Sequence, residues 1–211
     1  IFPAYEMEEA KKLAESIDVR YIIEETNIMD IPDFVINDRL RRYYCKKNLL
    51  DKAWDTASKN GLQHVVEGSN LDDMDDYSPG HKACIELEVL SPLRMAGLNK
   101  KEIRELSKTL LLPTHDKPSF ACLSSRIPYG TLIEKKILKK IELSEDFIRN
   151  LGIRQTRVRC HNSIARIEVG NEEIGLIIDN RDKIAEALKK YGFLYITLDL
   201  QEYRTGSMNI S

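Results

Sequence analysis

No stretch of this 211-residue chain approaches the roughly 20 consecutive apolar residues that a membrane-spanning helix needs, and no basic-then-apolar leader opens it. A soluble, cytoplasmic protein with no membrane partner is therefore expected. Charge of one sign is also lacking. With 32 Lys and Arg against 34 Asp and Glu, the net charge of −2 provides no global basic field to recommend a nucleic-acid partner. Cysteine is scarce and scattered. Cys45, Cys84, Cys122 and Cys160 are too widely spaced to suggest a disulfide framework, which points to a reducing compartment. His64, His81, His115 and His161 show no metal-ligand spacing with one another or with a cysteine pair, which argues against a zinc site. Internal repeats and low-complexity tracts are absent as well. Residue 1 is Ile rather than Met, and the chain opens directly into a helix-like segment, as though an earlier part preceded it.

What is present divides in two. Residues 5–17 space Ala10, Leu13, Ala14 and Ile17 for an amphipathic helix, and residues 19–23 are short and β-branched, predicting a strand. Residues 39–60 read as a helix stopped by Asn60-Gly61, residues 63–67 as a second strand, 82–89 as a helix and 90–93 as a short strand. Asn99 and Glu102 form a capping-box pattern for a helix over 100–111. Helix-then-strand order is what a parallel α/β sheet produces. Beyond Gly130 the character changes. A long charged helix spans 134–151, a strict period of two over 156–160 and 164–169 predicts a hairpin turning at 161–163, and a helix over 182–191 precedes a strand over 193–198. This second part reads as a small α+β unit, with a boundary near residue 131.

Between the two parts lies Asp116-Lys117-Pro118-Ser119-Phe120-Ala121-Cys122-Leu123-Ser124-Ser125-Arg126-Ile127-Pro128-Tyr129-Gly130. It sets a thiol, hydroxyls, a guanidinium and a phenol between two prolines, where neither a long helix nor a central strand can form. Loops held this way are where reacting groups tend to sit. A free cysteine is commonly just a small buried hydrophobe. Arg126 and Lys117 flanking Cys122 in sequence favour a thiolate instead.

Two other patches concentrate polar groups. The segment from Gly68 to Gly80, with Asn70, Asp72 and Asp73, follows a predicted strand's C-terminal end, the edge where open α/β sheets bind ligands; a solvated turn is the alternative. Arg157 and Arg159 leave one face of the hairpin and suit a phosphate, with an exposed salt-bridge network as the competing reading. Arg204, in Tyr203-Arg204-Thr205-Gly206-Ser207, lies in a donor-rich tail able to complete an anion site. Glu145 and Lys46 are candidate general bases, each with a structural alternative.

Four separated motifs occur in order: Glu67-Gly68-Ser69-Asn70-Leu71-Asp72-Asp73 through Asp76-Tyr77-Ser78-Pro79-Gly80; Ser91-Pro92-Leu93; the Cys122 loop; and Leu198-Asp199-Leu200 to Gly206-Ser207. Together they resemble the LarE family across essentially the whole chain. The resemblance implies a PP-loop (adenine nucleotide α-hydrolase-like) α/β domain over residues 1–131, lacking its first strand and nucleotide loop, and a small α+β substrate or oligomerisation domain over 132–211. It implies ATP with Mg²⁺, a pyridinium dicarboxylate mononucleotide substrate, adenylation of a carboxylate, attack by Cys122, and sulfur passing from that cysteine to the product. It assigns Arg157, Arg159 and Arg204 to the substrate phosphate, Ser125, Arg126 and Glu145 to the active site, and a homo-oligomer, commonly a hexamer, to the assembly.

The chain departs from the family's pattern twice. The Ser-Gly-Gly-x-Asp-Ser nucleotide run does not occur in it. In Arg42-Tyr43-Tyr44-Cys45, Arg42 stands where cluster-binding members have the first cysteine of a Cys-x-x-Cys, and an iron–sulfur cluster needs thiolates that Arg42 cannot supply. This departure favours sacrificial sulfur donation by Cys122 over a cluster, with Cys84 and Cys160 left as thiols that could supply a third cluster ligand from elsewhere in the fold. Two other activities fit the same residues less fully: tRNA thiolation, which also begins with adenylation, and non-catalytic nucleotide or phosphate binding.

Overall fold

The structure is a computed structural model that describes residues 4–74, 79–117, 121–201 and 203. The chain forms two compact units, one comprising Glu9–Ser119 and the other Ile1–Glu8 with Phe120–Ser211. The class is mixed α/β.

The unit Glu9–Ser119 is mainly helical. After α1 (Ala4–Ser16) come α2 (Pro32–Val35), α3 (Arg41–Lys59), α4 (Pro79–Glu86), α5 (Pro92–Met95) and α6 (Lys100–Thr109). Helix α3 stops where the sequence says it should: Gly61 adopts φ +69°, a left-handed conformation that costs glycine little. Helix α6 carries the expected capping box, Asn99 accepting from the Glu102 N–H and Glu102 from the Asn99 N–H, both at 2.9 Å. Helices α3 and α4 pack around Leu50, Ala57, Val65, Ala83, Cys84 and Val89, and the Trp54 indole N–H donates to the Leu87 carbonyl at 2.8 Å.

Three strands expected in this unit are not there. Residues 19–23 form no ladder, with Val19 53% and Ile22 52% exposed. Their β-branched composition suits a pleated, half-buried surface, but a strand forms only where a partner supplies the hydrogen bonds. Residues 63–67 contribute one isolated parallel bridge, Val66 to Leu90. The expected strand over 90–93 ends at that bridge, because Pro92, which has no N–H to give to a ladder, starts α5 at its first position instead. A several-stranded parallel sheet is therefore not found among the described residues.

The other unit matches the sequence more closely. Helix α7 (Lys135–Asn150) leads to β1 (Thr156–His161) and β2 (Ile164–Val169), an antiparallel hairpin that turns through Asn162 at φ +56°. Then follow α8 (Ile174–Asp179), α9 (Arg181–Lys190) and β3 (Tyr195–Leu198), which pairs parallel with β2 and makes the order β1-β2-β3. Helix α7 packs along β1 and against α9. Leu138, Ile141, Ile148, Val158, Ile167, Ile184, Leu188 and Phe193 are buried here, each contributing about 1.5–3 kcal/mol. The register sets Arg157 opposite Glu168 and Arg159 opposite Arg166.

Among the described residues, no helix is long and apolar enough to cross a membrane.

Candidate functional site

Cys122 immediately precedes a single 3-10 turn, Leu123–Arg126, which the loop's composition favours over longer regular structure. Its carbonyl accepts from the Ser125 N–H at 3.0 Å, and its half-buried thiol lies 2.8 Å from the Ser124 hydroxyl. Leu123, Ser124, Arg126 and Ile127 are buried beside it.

Two guanidiniums bond to this turn. Arg126, wholly buried, donates Nη1 to the Ala121 carbonyl, to the Cys122 carbonyl at 3.0 Å and to the Ser125 hydroxyl at 3.0 Å. Its Nε and Nη2 lie on Glu145 Oε1 and Oε2 at 2.8 and 3.0 Å. Glu145, equally buried, also accepts the Val158 N–H of β1 at 2.9 Å. Arg159 donates Nη1 to the Ser125 carbonyl at 3.1 Å, while its Nε and Nη2 rest on Glu168 Oε2 at 3.0 and 2.7 Å. The other oxygen of Glu168 accepts from Arg166 at 2.9 Å.

Arg157 differs from these. It donates to the Thr156 carbonyl at 2.8 Å and stacks over the Tyr203 ring at 5.1 Å. Burial, and then the charge of Arg126, push its pKa down, so its environment favours an added negative charge. The two strand arginines are thus buried, at 5% exposure each, rather than an exposed solvated pair. Arg126 directs its charge to Glu145 and to backbone carbonyls. Lys117, the other cation near Cys122 in sequence, pairs with Glu9 at 2.6 Å. Arg204 lies outside the described residues, as do residues 75–78 and 118–120.

The unit Glu9–Ser119 holds a polar cavity of about 330 Å³ lined by Arg42, Lys46, Glu67, Ser69, His81 and Arg94. Glu67 is its hub. It accepts from Ser91 at 2.5 Å, Ser69 at 2.8 Å and Lys46 at 3.1 Å. Burial opposes its charge, yet these hydrogen bonds and the Lys46 ammonium outweigh burial and bring its pKa down to about 2. Lys46 is accordingly one half of an ion pair. Asn70, Asp72 and Asp73 serve the backbone: Asn70 Oδ1 accepts from the Asp72 N–H, Asp73 from the Asn70 N–H and Asp72 from the Lys100 N–H, at 2.8 to 2.9 Å. They shape the loop, and Asp73 also borders the cavity.

Lys46 and Cys45 belong to one compact unit and Cys122 to the other. Among the described residues, no group of three or more His, Cys, Asp or Glu side chains is placed to hold a metal ion.

Sequence reasoning passed over Glu67, His81, Arg94 and Glu168 as site residues. A signal existed for Glu168, because the period of two puts Arg166 and Glu168 on one face of β2, opposite the β1 arginines. None existed for His81 and Arg94, which the fold brings together from two helices.

No protein-family model matches the chain. Three curated proteins are similar to it over most of its length. An uncharacterised protein of Synechocystis sp. is 37% identical over 206 residues, 97% of this chain and 77% of that protein. The pyridinium-3,5-bisthiocarboxylic acid mononucleotide synthase of Lactiplantibacillus plantarum is 34% identical over 215 residues, 99% of this chain and 76% of the synthase. An uncharacterised protein of Methanocaldococcus jannaschii is 32% identical over 178 residues, 84% of this chain and 69% of its own.

Proposed function

Because the chain belongs to the LarE family, that of the pyridinium-3,5-bisthiocarboxylic acid mononucleotide synthase, we propose that it transfers sulfur to a carboxylate of a pyridinium mononucleotide in nickel-pincer cofactor synthesis. ATP activates that carboxylate as an acyl-adenylate, with pyrophosphate leaving. The Cys122 thiolate attacks the acyl carbon and AMP departs with the bonding electron pair, giving a thioester. A base then takes the Cα proton of Cys122. The electron pair becomes the Cα–Cβ double bond, Cβ–S breaks, and the thiocarboxylate leaves with the sulfur. Dehydroalanine remains in the chain.

The observation that carries this reading is the 34% identity to the synthase across 99% of the chain, with Cys122 presented on a turn whose carbonyls two buried arginines hold. Arg157, beside Tyr203, is the guanidinium best suited to the substrate phosphate. The cation-rich cavity around Arg42, Lys46 and Arg94 suits the nucleotide's phosphates. Mg²⁺ would accompany those phosphates and offset part of their charge. A PP-loop architecture for the part through residue 131, a substrate role for the part beyond it, and assembly into a homo-oligomer complete the proposal. Incubating the full-length protein with ATP and the dicarboxylate mononucleotide tests it. AMP, pyrophosphate and a thiocarboxylate should appear together, and no thiocarboxylate from folded protein sinks the reading.

A further inference from the structure

The geometry points to Glu168 as a positioning residue for the sulfur-donating turn, an inference that rests on the role proposed for Cys122. Glu168 is 1% exposed on the central strand β2. Its influence runs through Arg159. Because Nε and Nη2 of a guanidinium are rigidly coplanar with Nη1, seating the first two on Glu168 Oε2 fixes the direction of the third. That third nitrogen reaches the Ser125 carbonyl at 3.1 Å. The Ser125 N–H is in turn bonded to the Cys122 carbonyl at 3.0 Å, so the clasp acts one hydrogen bond away from the cysteine backbone.

Glu168 is itself held in place. Its other oxygen accepts from Arg166 at 2.9 Å, and Arg166 pairs with Asp199 at 3.4 Å just beyond β3. The relay thus runs from the residue after β3 through β2 and β1 to the turn. Arg126 with Glu145 makes a second clasp from α7, ending on the carbonyls of Ala121 and Cys122. Two buried carboxylates on different elements thereby aim two guanidiniums at one turn. Such over-determination suits a nucleophile whose angle of attack matters, since small misplacements cost large factors in rate.

The test uses Glu168→Gln and Arg159→Lys in the full-length protein. The first removes the charge that seats Arg159; the second keeps a cation against Glu168 but has no rigid fork to reach Ser125. Without substrate present, the rate of iodoacetamide labelling at Cys122 is followed by peptide mass, with Cys45 in the same molecules as the reference. Labelling of Cys122 should rise about tenfold relative to Cys45 in both variants, the scale expected when a hydrogen bond to a charged group no longer holds a loop closed. In Glu168→Gln the single-turnover rate of sulfur transfer should fall by about tenfold or more, with the half-saturating substrate concentration nearly unchanged. Parental labelling of Cys122 in a folded variant overturns the inference, as does a parallel rise at Cys45, which reports general loosening. If Glu168→Gln does not fold, Arg159→Lys decides the matter by labelling alone. Failure of the parent protein to lose sulfur from Cys122 counts against the proposed function instead, because the labelling is measured without turnover.

Discussion

Arg126 and Glu145 meet through two parallel contacts, Nε to Oε1 at 2.8 Å and Nη2 to Oε2 at 3.0 Å, and neither side chain is exposed to solvent. The pair joins α7 to the Cys122 turn, and the same Glu145 also accepts the Val158 N–H of β1. Both oxygens of Glu145 are engaged in this way, so the pair ties three elements together. Glu145→Ala strands a buried guanidinium and should cost about 3–5 kcal/mol in chemical denaturation. The double replacement Arg126→Met with Glu145→Leu should recover most of that stability while sulfur transfer stays lost. Full activity in a folded double variant would show that the pair serves stability alone.

The roles proposed for Arg157 and Arg159, phosphate binding and turn positioning, can be tested apart. Its guanidinium lies against the Tyr203 ring, whereas Arg159 spends three nitrogens on Glu168 and the Ser125 carbonyl. Arg157→Ala should therefore weaken binding of the mononucleotide by about 1.5–3 kcal/mol, measured by calorimetry. Removing the phosphate from the ligand should cost the parent protein a similar amount and cost the variant almost nothing further. Equal phosphate dependence in parent and variant would assign Arg157 to packing.

Glu67 gives the cavity a pH signature. Its pKa in the fold is about 2, against an ordinary 4.5, so the folded state binds its proton less readily than the unfolded chain. The stabilisation is complete above the unfolded value and disappears as pH falls from about 4.5 through about 2, with a size of order 3 kcal/mol. Urea denaturation of Glu67→Gln beside the parent should show a stability gap at pH 6 that narrows across that interval. A gap independent of pH would mean that the carboxylate's charge is not what Ser69, Ser91 and Lys46 recognise.

The hairpin with its helices was legible in the sequence because its signals are local. The period of two over β1 and β2, the charged helix before them and the Asn99–Glu102 capping box each depend on neighbours within a few residues. Residues 19–23 and 63–67 misled because β-branched composition reports a preference, whereas a strand is a property of two segments. Pro92 is instructive in the same way, since it marks the end of the expected strand and the start of α5 at once. Of the site residues that sequence singled out, Cys122, Ser125, Arg126, Glu145, Arg157 and Arg159 fall in one unit, Lys46, Asn70, Asp72 and Asp73 fall in the other, and Arg204 lies outside the described residues. It could not show that Arg126 and Arg159 point at backbone carbonyls, because guanidinium direction is set by Glu145 and Glu168 from other elements.

Cysteine replacements divide the sulfur sources. Cys122→Ser should abolish transfer, while Cys45→Ser, in the other unit, should retain substantial activity because Arg42 leaves that segment short of a cluster ligand. Loss of activity in Cys45→Ser protein that still folds would point to a shared role for the two thiols.

The mass of the Cys122 peptide after turnover tests the central claim most directly. After full-length protein has reacted with ATP and the dicarboxylate mononucleotide, that peptide should be lighter by one H₂S, in proportion to the sulfur transferred, and a second addition of substrate should yield nothing more. An unchanged Cys122 after several turnovers sustained by added sulfide, in protein purified anaerobically with a stoichiometric iron–sulfur cluster, would contradict it.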